Sequence, residues 1–102
     1  MRVSRRKPIS PGEILTLEFL QPMALTQAQV AEAMGVQRKL VSGLCNNRRA
    51  ITVDIALMLA RVFGNSADFW LNLQRRCDLW EALDSPDRRA RIERAKPVQH
   101  AA

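Results

Sequence analysis

The chain has 102 residues, enough for one domain with a modest core. Lys and Arg number 16 against 10 Asp and Glu, so the net charge of +6 favours a polyanionic partner such as nucleic acid. One histidine, His100, no tyrosine and two distant cysteines, Cys45 and Cys77, argue against acid–base catalysis, a zinc site or a disulfide framework. We therefore expect no enzyme, no cofactor and no metal.

The positive charge falls into three blocks. Residues 1–8, 37–61 and 88–102 each carry +4, and the segments 9–36 and 62–87 each carry −3. No apolar run approaches the ~18 residues of a membrane span, and the basic start lacks the apolar stretch of a signal peptide. These patterns predict a cytoplasmic protein without a membrane partner, whose two thiols are free and buried.

Capping residues indicate where the helices start. Ser10 with Glu13, and Thr26 with Gln29, form two capping-box patterns, and Pro11 suits a first helical position. A third helix runs from about Gln37 to Cys45. The remaining predicted N-caps are Thr52 and Ser66, and the predicted stops are Gln21–Pro22, Gly35, Asn46–Asn47 and Gly64.

The fifth predicted helix carries an apolar stripe of Phe69, Leu73, Cys77 and Trp80. Ser85–Pro86 is typical of a further helix start, but the charged segment after it makes a marginal helix without a partner. Because no segment alternates like a strand, the predicted fold is all-α, with five helices and a tail. The predicted divisions are a basic flexible arm over 1–9, a helical domain over 10–83 and a basic tail over 84–102.

The second and third helices form a helix-turn-helix pattern. Ala31 is small where the helices must approach, Gly35 permits a sharp turn, and Val36 and Val41 fill the angle between the helices. The third helix then becomes the recognition helix, which exposes side chains suited to base edges and phosphates: Gln37, Arg38, Lys39 and Ser42. A plain corner of two helices is the alternative interpretation.

Three further residues suit the phosphate backbone. Arg48 and Arg49 follow the recognition helix, and Gln27 lies at a helix N-terminus, whose free N–H groups bind anions.

The region from Ser10 to about Trp80 resembles HigA-type antitoxins, within the phage-repressor-like helix-turn-helix family. The run Phe69–Gln74 is the most distinctive part of the match. The other matching residues are Pro11–Leu15, Glu18–Leu20, Leu25–Gln27, Ala31, Met34–Val36, Asn46, Arg49, Ile51–Thr52, Ala56, Leu59–Ala60 and Phe63–Gly64.

The resemblance implies a dimeric antitoxin that represses its own operon at a palindromic operator in double-stranded DNA. It also implies that Thr52, like Arg48 and Arg49, lies near the DNA backbone, so the predicted DNA-binding set is Gln27, Gln37, Arg38, Lys39, Ser42, Arg48, Arg49 and Thr52. It also implies a cognate small basic toxin that is a ribosome-dependent mRNA nuclease. Two positions depart from the family pattern. Asn47 stands where glycine is common, and Gly43 replaces a polar residue on the recognition helix, which removes a possible base contact.

Several roles stay open between alternatives. For Phe69, Trp70 and Trp80, a core or dimer contact is favoured over a ligand cage, and the expected dimer interface is Trp80, Cys77 and Leu73. Asn72 is expected to tie the fifth helix to a neighbouring loop. The arm with Arg2, Arg5, Arg6 and Lys7 is either a DNA contact or a disordered end, and the tail folds either on a toxin or on a second subunit.

Two other functions remain for the whole chain. One is a solitary phage-type repressor without a toxin partner. The other is a protein-binding module whose basic patches face an acidic partner.

Overall fold

The computed structural model describes residues 6–98, and within this span the chain forms helices and no strand. The all-α prediction is therefore confirmed. Helix α1 comprises an α-helical turn, Pro11–Ile14, and a π-helical continuation, Leu15–Leu20. The other helices are α2 Gln27–Met34, α3 Arg38–Cys45, α4 Val53–Phe63, α5 Ala67–Asp84 and α6 Pro86–Glu93. Arg2 and Arg5 of the arm, and His100, lie outside the described residues.

The predicted caps form with the expected atoms. The Ser10 hydroxyl accepts from the Glu13 N–H at 3.1 Å, and a Glu13 carboxylate oxygen accepts from the Ser10 N–H at 3.4 Å. Thr26 and Gln29 make the same reciprocal pair at 3.1 and 2.8 Å. The side chains of Thr52, Ser66 and Ser85 cap α4, α5 and α6. Local sequence therefore sets where each of these helices begins.

Trp70 of α5 lies at the centre of the core. Its side chain is fully buried, its ring centroid is 5.0 Å from that of Phe19, and its indole N–H donates to the Asn65 carboxamide oxygen at 2.8 Å. The predicted apolar stripe on α5 contains Phe69 and not Trp70, whereas the expectation of a core or dimer contact includes both residues. Phe69 is 39% exposed at the rim, with its ring edge-on to Trp70.

The far end of α5 and the whole of α6 extend beyond this core. The described chain measures 58 × 28 × 21 Å along its principal axes. Helix α6 packs against the end of α5 without a single buried residue, and its one large apolar side chain, Ile92, is 49% exposed. The basic tail therefore contains the short helix that Ser85–Pro86 indicated. Between residues 6 and 98, no helix is long and apolar enough to cross a membrane.

Candidate nucleic-acid interface

A tight turn joins α2 to α3. Gly35 adopts the left-handed conformation, with φ at 74°, and the Val36 N–H donates to the Ala31 carbonyl at 3.0 Å. This is the hydrogen bond of a Schellman-type helix end. Ala31 and Val41 are buried between the helices, as the helix-turn-helix pattern predicts. The turn holds α3 across α2 and leaves one face of α3 in solvent.

The exposed face of α3 and the turn after it form an open depression of about 550 Å³. Five of the eight predicted DNA-binding residues line it: Gln37, Lys39, Ser42, Arg48 and Arg49. Arg38 is exposed on the same helix, one turn before Ser42, but it lies outside the depression. We call the surface formed by Gln37–Ser42, Asn46, Arg48 and Arg49 the α3 surface.

Gln27 and Thr52 lie apart from that depression. Gln27 is the half-buried first residue of α2, where backbone N–H groups lack helical partners. The hydroxyl of Thr52 already accepts from the Ile55 N–H at 3.3 Å as the cap of α4. Both residues therefore offer helix N-termini, as the sequence indicated, at separate points from the α3 surface.

Asn46 belongs to the α3 surface, although the predicted DNA-binding set omitted it. Its side-chain amide donates to the Ser42 carbonyl at 2.9 Å and approaches the Ser42 hydroxyl at 3.4 Å. Asn46 lies four residues after Ser42 and seven after Lys39, so extending the helical period by one turn finds it.

Asn47 fixes the end of α3 against the start of α1. Its φ is 56°, and its carboxamide accepts from the Gly12 N–H at 3.0 Å and donates to the Ser10 hydroxyl at 2.9 Å. A Cβ on Gly12 would lie 2.5 Å from the carbonyl oxygens of both Leu44 and Cys45. Asn47 thus provides the left-handed turn and, through its side chain, a bond to α1 that glycine would lack.

The backbone after Asn47 folds back onto Gly43. The N–H groups of Arg48 and Arg49 both donate to the Gly43 carbonyl, at 2.8 and 3.2 Å. A Cβ on Gly43 would lie 3.3 Å from the Arg49 Cβ. The lack of a side chain at Gly43 therefore lets Arg49 pack close to the recognition helix.

Gln74 holds the next part of this loop to α5. Its carboxamide oxygen accepts from the Ile51 N–H at 2.8 Å, and its amide donates to Asp78 at 2.9 Å. The prediction that Asn72 makes this tie is wrong, because Asn72 accepts from Arg75 within α5 at 2.8 Å. The glutamine lies on the face of α5 that meets the loop.

The α3 surface carries an unopposed positive charge. No residue from 33 to 53 is acidic, whereas this span contains Arg38, Lys39, Arg48 and Arg49. None of these four cations forms an ion pair with any part of the chain that the structure describes. Their charges therefore remain available for an external anion.

The residues expected at a dimer interface differ in exposure. Leu73 and Cys77 are buried within the single chain, whereas Trp80 is half-buried. Burial raises the pKa of the Cys77 thiol, whose sulfur lies 3.7 Å from the Ile9 carbonyl oxygen. Of the three, Trp80 is therefore the one whose side chain a second copy could reach without opening the core. Both cysteines are free, Cys77 buried and Cys45 half-buried.

Comparison with known proteins places this geometry in a family. A helix-turn-helix family (HTH_3) matches residues 18–70, which include α2, α3 and α4. Antitoxin HigA-1 of Vibrio cholerae is 44% identical over 98 residues, which cover 96% of this chain and 90% of that protein. The chain belongs to the HigA antitoxin family of helix-turn-helix proteins.

Two further proteins similar to this chain are a transcriptional regulator and an antitoxin. The HTH-type transcriptional regulator YbaQ of Escherichia coli K12 is 42% identical over 96% of this chain and 87% of its own length. The structure of Pseudomonas aeruginosa antitoxin HigA with the higBA promoter superposes with a TM-score of 0.79 at 36% identity, covering 90% of this chain and 99% of that one. The resemblance found in the sequence is thus confirmed.

Proposed function

We propose that this protein is a sequence-specific DNA-binding antitoxin that represses its own operon as a dimer and neutralises a cognate mRNA-nuclease toxin. The observation that carries the proposal is the α3 surface, where a helix-turn-helix presents four cations that form no ion pair within the described residues. Its similarity to a HigA structure with promoter DNA supports the same function. The protein acts in the cytoplasm, where its operator is found.

The residues of the α3 surface divide into two roles. Gln37, Arg38, Lys39 and Ser42, at the start of α3, read base edges in the major groove. Arg48 and Arg49 bind phosphates, because they lie on the turn after the helix. Gln27 and Thr52 add phosphate contacts from the N-termini of α2 and α4.

A dimer matches the two halves of a palindromic operator. Its two recognition helices would enter successive major grooves about 34 Å apart. We assign Trp80 to the contact between the copies, because Leu73 and Cys77 are buried in the monomer.

A binding assay with the DNA upstream of the protein's own gene tests the DNA-reading role. The double variant Arg38→Ala/Lys39→Ala is expected to lose discrimination between operator and scrambled DNA, since one base-reading arginine contributes about 1–3 kcal/mol. Arg48→Ala is expected to weaken binding to both DNAs alike and to lower the salt slope by about 1 for each protomer, or about 2 for the dimer. Arg61→Ala on α4, outside the α3 surface, is the matched control.

If the Arg38/Lys39 double variant still prefers the operator over scrambled DNA, the assignment of α3 as the recognition helix is wrong. The toxin role needs a separate experiment, co-purification with the product of the adjacent gene. Capture of a small basic nuclease supports an antitoxin. Specific operator binding without any such neighbour supports a solitary repressor instead, a function favoured by the similarity to the regulator YbaQ.

A further inference from the structure

The segment before α1 lies next to the α3 surface. Lys7, Arg48 and Arg49 line one cleft of about 310 Å³, together with Asn47, Asp78 and Glu81. Arg48 and Arg49 also line the depression on α3. The cleft at the base of the segment and the proposed DNA-binding surface are therefore contiguous, and these two arginines form their shared edge.

The position of Lys7 is set by contacts on both of its sides. The Cys77 sulfur lies 3.9 and 3.7 Å from the carbonyl oxygens of Pro8 and Ile9. Ser10 is bonded to Asn47, and the Lys7 ammonium lies 3.5 Å from a Glu81 carboxylate oxygen. Because the same Asn47 ends the recognition helix, the fold fixes where this segment begins relative to α3.

The charges in the cleft allow Lys7 to exchange its ion pair with Glu81 for a contact with a phosphate. Asp78 already accepts from Gln74, and the carboxylate of Glu81 faces Lys7 across an ion pair that is about half exposed on both sides. Exposed ion pairs are weak and screened by salt, so a phosphate can replace the carboxylate. The first acidic residue of the chain is Glu13, so Arg6 and Lys7 lie in a stretch of sequence that contains only basic charges.

We propose that Arg6 and Lys7 bind the DNA phosphate backbone beside Arg48 and Arg49, and extend the interface beyond the helix-turn-helix. The inference rests on the DNA-binding function proposed above. The ligand is a run of phosphates rather than base edges, because these cations continue from the turn arginines and not from the reading face of α3. Arg6 and Lys7 therefore add affinity without changing which sequence is preferred.

The test measures affinity for operator and for scrambled DNA between 50 and 200 mM salt. Each lost phosphate contact lowers the salt slope by about 0.9, so Arg6→Gln/Lys7→Gln, which removes two contacts from each protomer of the dimer, is expected to lower it by about 3.6. The affinity loss over this salt range then becomes roughly a hundredfold smaller than in the wild type. The ratio of operator to scrambled affinity is expected to stay the same. Arg61→Gln/Arg76→Gln, with the same loss of charge elsewhere, is expected to change the slope by much less.

Two single variants separate DNA contact from a merely structural role for Lys7. Glu81→Gln also breaks the Lys7 ion pair but keeps both cations, so operator binding is expected to hold or tighten. Weakening by Glu81→Gln to the extent of Lys7→Gln would overturn the proposal. Arg6→Gln, which leaves the Lys7–Glu81 pair intact, is expected to lower the slope of the dimer by about 2.

The outcomes also distinguish the two proposals from each other. If the wild-type protein does not prefer its operator over scrambled DNA, the proposed function fails, and this inference fails with it. If the wild type is specific but the Arg6/Lys7 variant has the slope of the Arg61/Arg76 control, only the inference is overturned. A role of this segment in binding a protein partner would then take its place.

Discussion

Two basic segments of the described chain, α3 with its following turn and α6, are held by different kinds of contact. The end of α3 is hydrogen-bonded to α1 through Asn47, and the loop after it is hydrogen-bonded to α5 through Gln74. Helix α6 buries no side chain, and the ion pair between Arg89 and Glu93 is local and exposed at 3.9 Å. Helix α3 with its turn contains four basic and no acidic residues, whereas α6 contains three basic and two acidic residues and has far fewer contacts to hold it in place.

This difference separates the functions that each segment can perform. Reading base edges requires side chains held in a fixed register on the DNA. The hydrogen bonds of Asn47 and Gln74 hold α3 and the loop after it in such a fixed position. A helix without buried residues opens easily, so its arginines can contribute charge but little sequence discrimination. Variants at Gly12 and Asn47 probe the contacts that hold α3, and a variant in α6 probes how loosely α6 is held.

A large loss of stability is expected from Gly12→Ala. The added Cβ would meet the carbonyl oxygens of Leu44 and Cys45 at 2.5 Å, so α1 must move away from the end of α3. Overpacking of this kind costs about 1–3 kcal/mol, and about 4–8 °C of Tm accompanies each kcal/mol in a chain of this size. Thermal unfolding followed by circular dichroism measures the loss.

Gly43→Ala is the matched control for this prediction. Its added Cβ would meet only the Arg49 Cβ, at 3.3 Å, so the loop after α3 has to move by only a few tenths of an ångström. Alanine within a helix gains up to about 1 kcal/mol over glycine, so Tm is expected to change little. Equal Tm values for the two variants would show that α1 and α3 are not in the close contact described.

A loss of similar size is expected at Asn47, where backbone and side chain can be tested separately. Asn47→Gly keeps the left-handed turn but loses two hydrogen bonds and leaves the Gly12 N–H without its acceptor, at a cost of about 1–3 kcal/mol. Asn47→Ala loses the same bonds and adds the strain of a left-handed conformation, about 1–2 kcal/mol. Urea unfolding should rank the wild type above Asn47→Gly, and Asn47→Gly above Asn47→Ala.

Either of two results would contradict this explanation. An alanine variant as stable as the glycine variant would mean that the positive φ of Asn47 carries no strain. A glycine variant as stable as the wild type would mean that the bonds to Ser10 and Gly12 contribute nothing to the frame of α3.

The sequence predicts the helix boundaries well because capping is local. Ser10, Thr26 and Thr52 each bond a backbone N–H three residues away, and Gly35 ends α2 through its own backbone conformation. Such signals are complete within a few residues, so no knowledge of the rest of the fold is needed. The five predicted residues around the depression follow in the same way from their positions on and after α3.

The errors arise where distant parts of the chain decide the outcome. Trp70 rather than Phe69 fills the core because Phe19 and Asn65 meet it there, and Gln74 rather than Asn72 reaches the loop because Ile51 lies against its face of α5. The π-helical Leu15–Leu20 also has no local signal, since it contains neither proline nor glycine. Periodicity alone leaves a choice between adjacent positions, which tertiary contacts then settle.

The smallest effect on global stability is expected from Ala90→Pro in α6. Proline in a helix interior costs about 3 kcal/mol locally, because it removes a hydrogen bond and clashes with the preceding turn. This cost should melt α6 alone, since no side chain of α6 is buried. The helical signal at 222 nm is expected to fall slightly. The free energy of the cooperative unfolding transition is expected to stay within about 0.5 kcal/mol of the wild type.

Arg76→Pro in α5 provides the contrast for this prediction. Arg76 is exposed like Ala90, but it precedes the buried Cys77 on a helix that carries Trp70 in the core. Its replacement should lower the midpoint sharply or prevent folding. If Ala90→Pro lowers the midpoint to the same extent, α6 is part of the cooperative core, and its arginines share the rigid frame attributed here to α3. If Ala90→Pro changes neither the midpoint of unfolding nor the discrimination between operator and scrambled DNA, the base-reading residues belong to α3, which is held in place by the hydrogen bonds of Asn47 and Gln74.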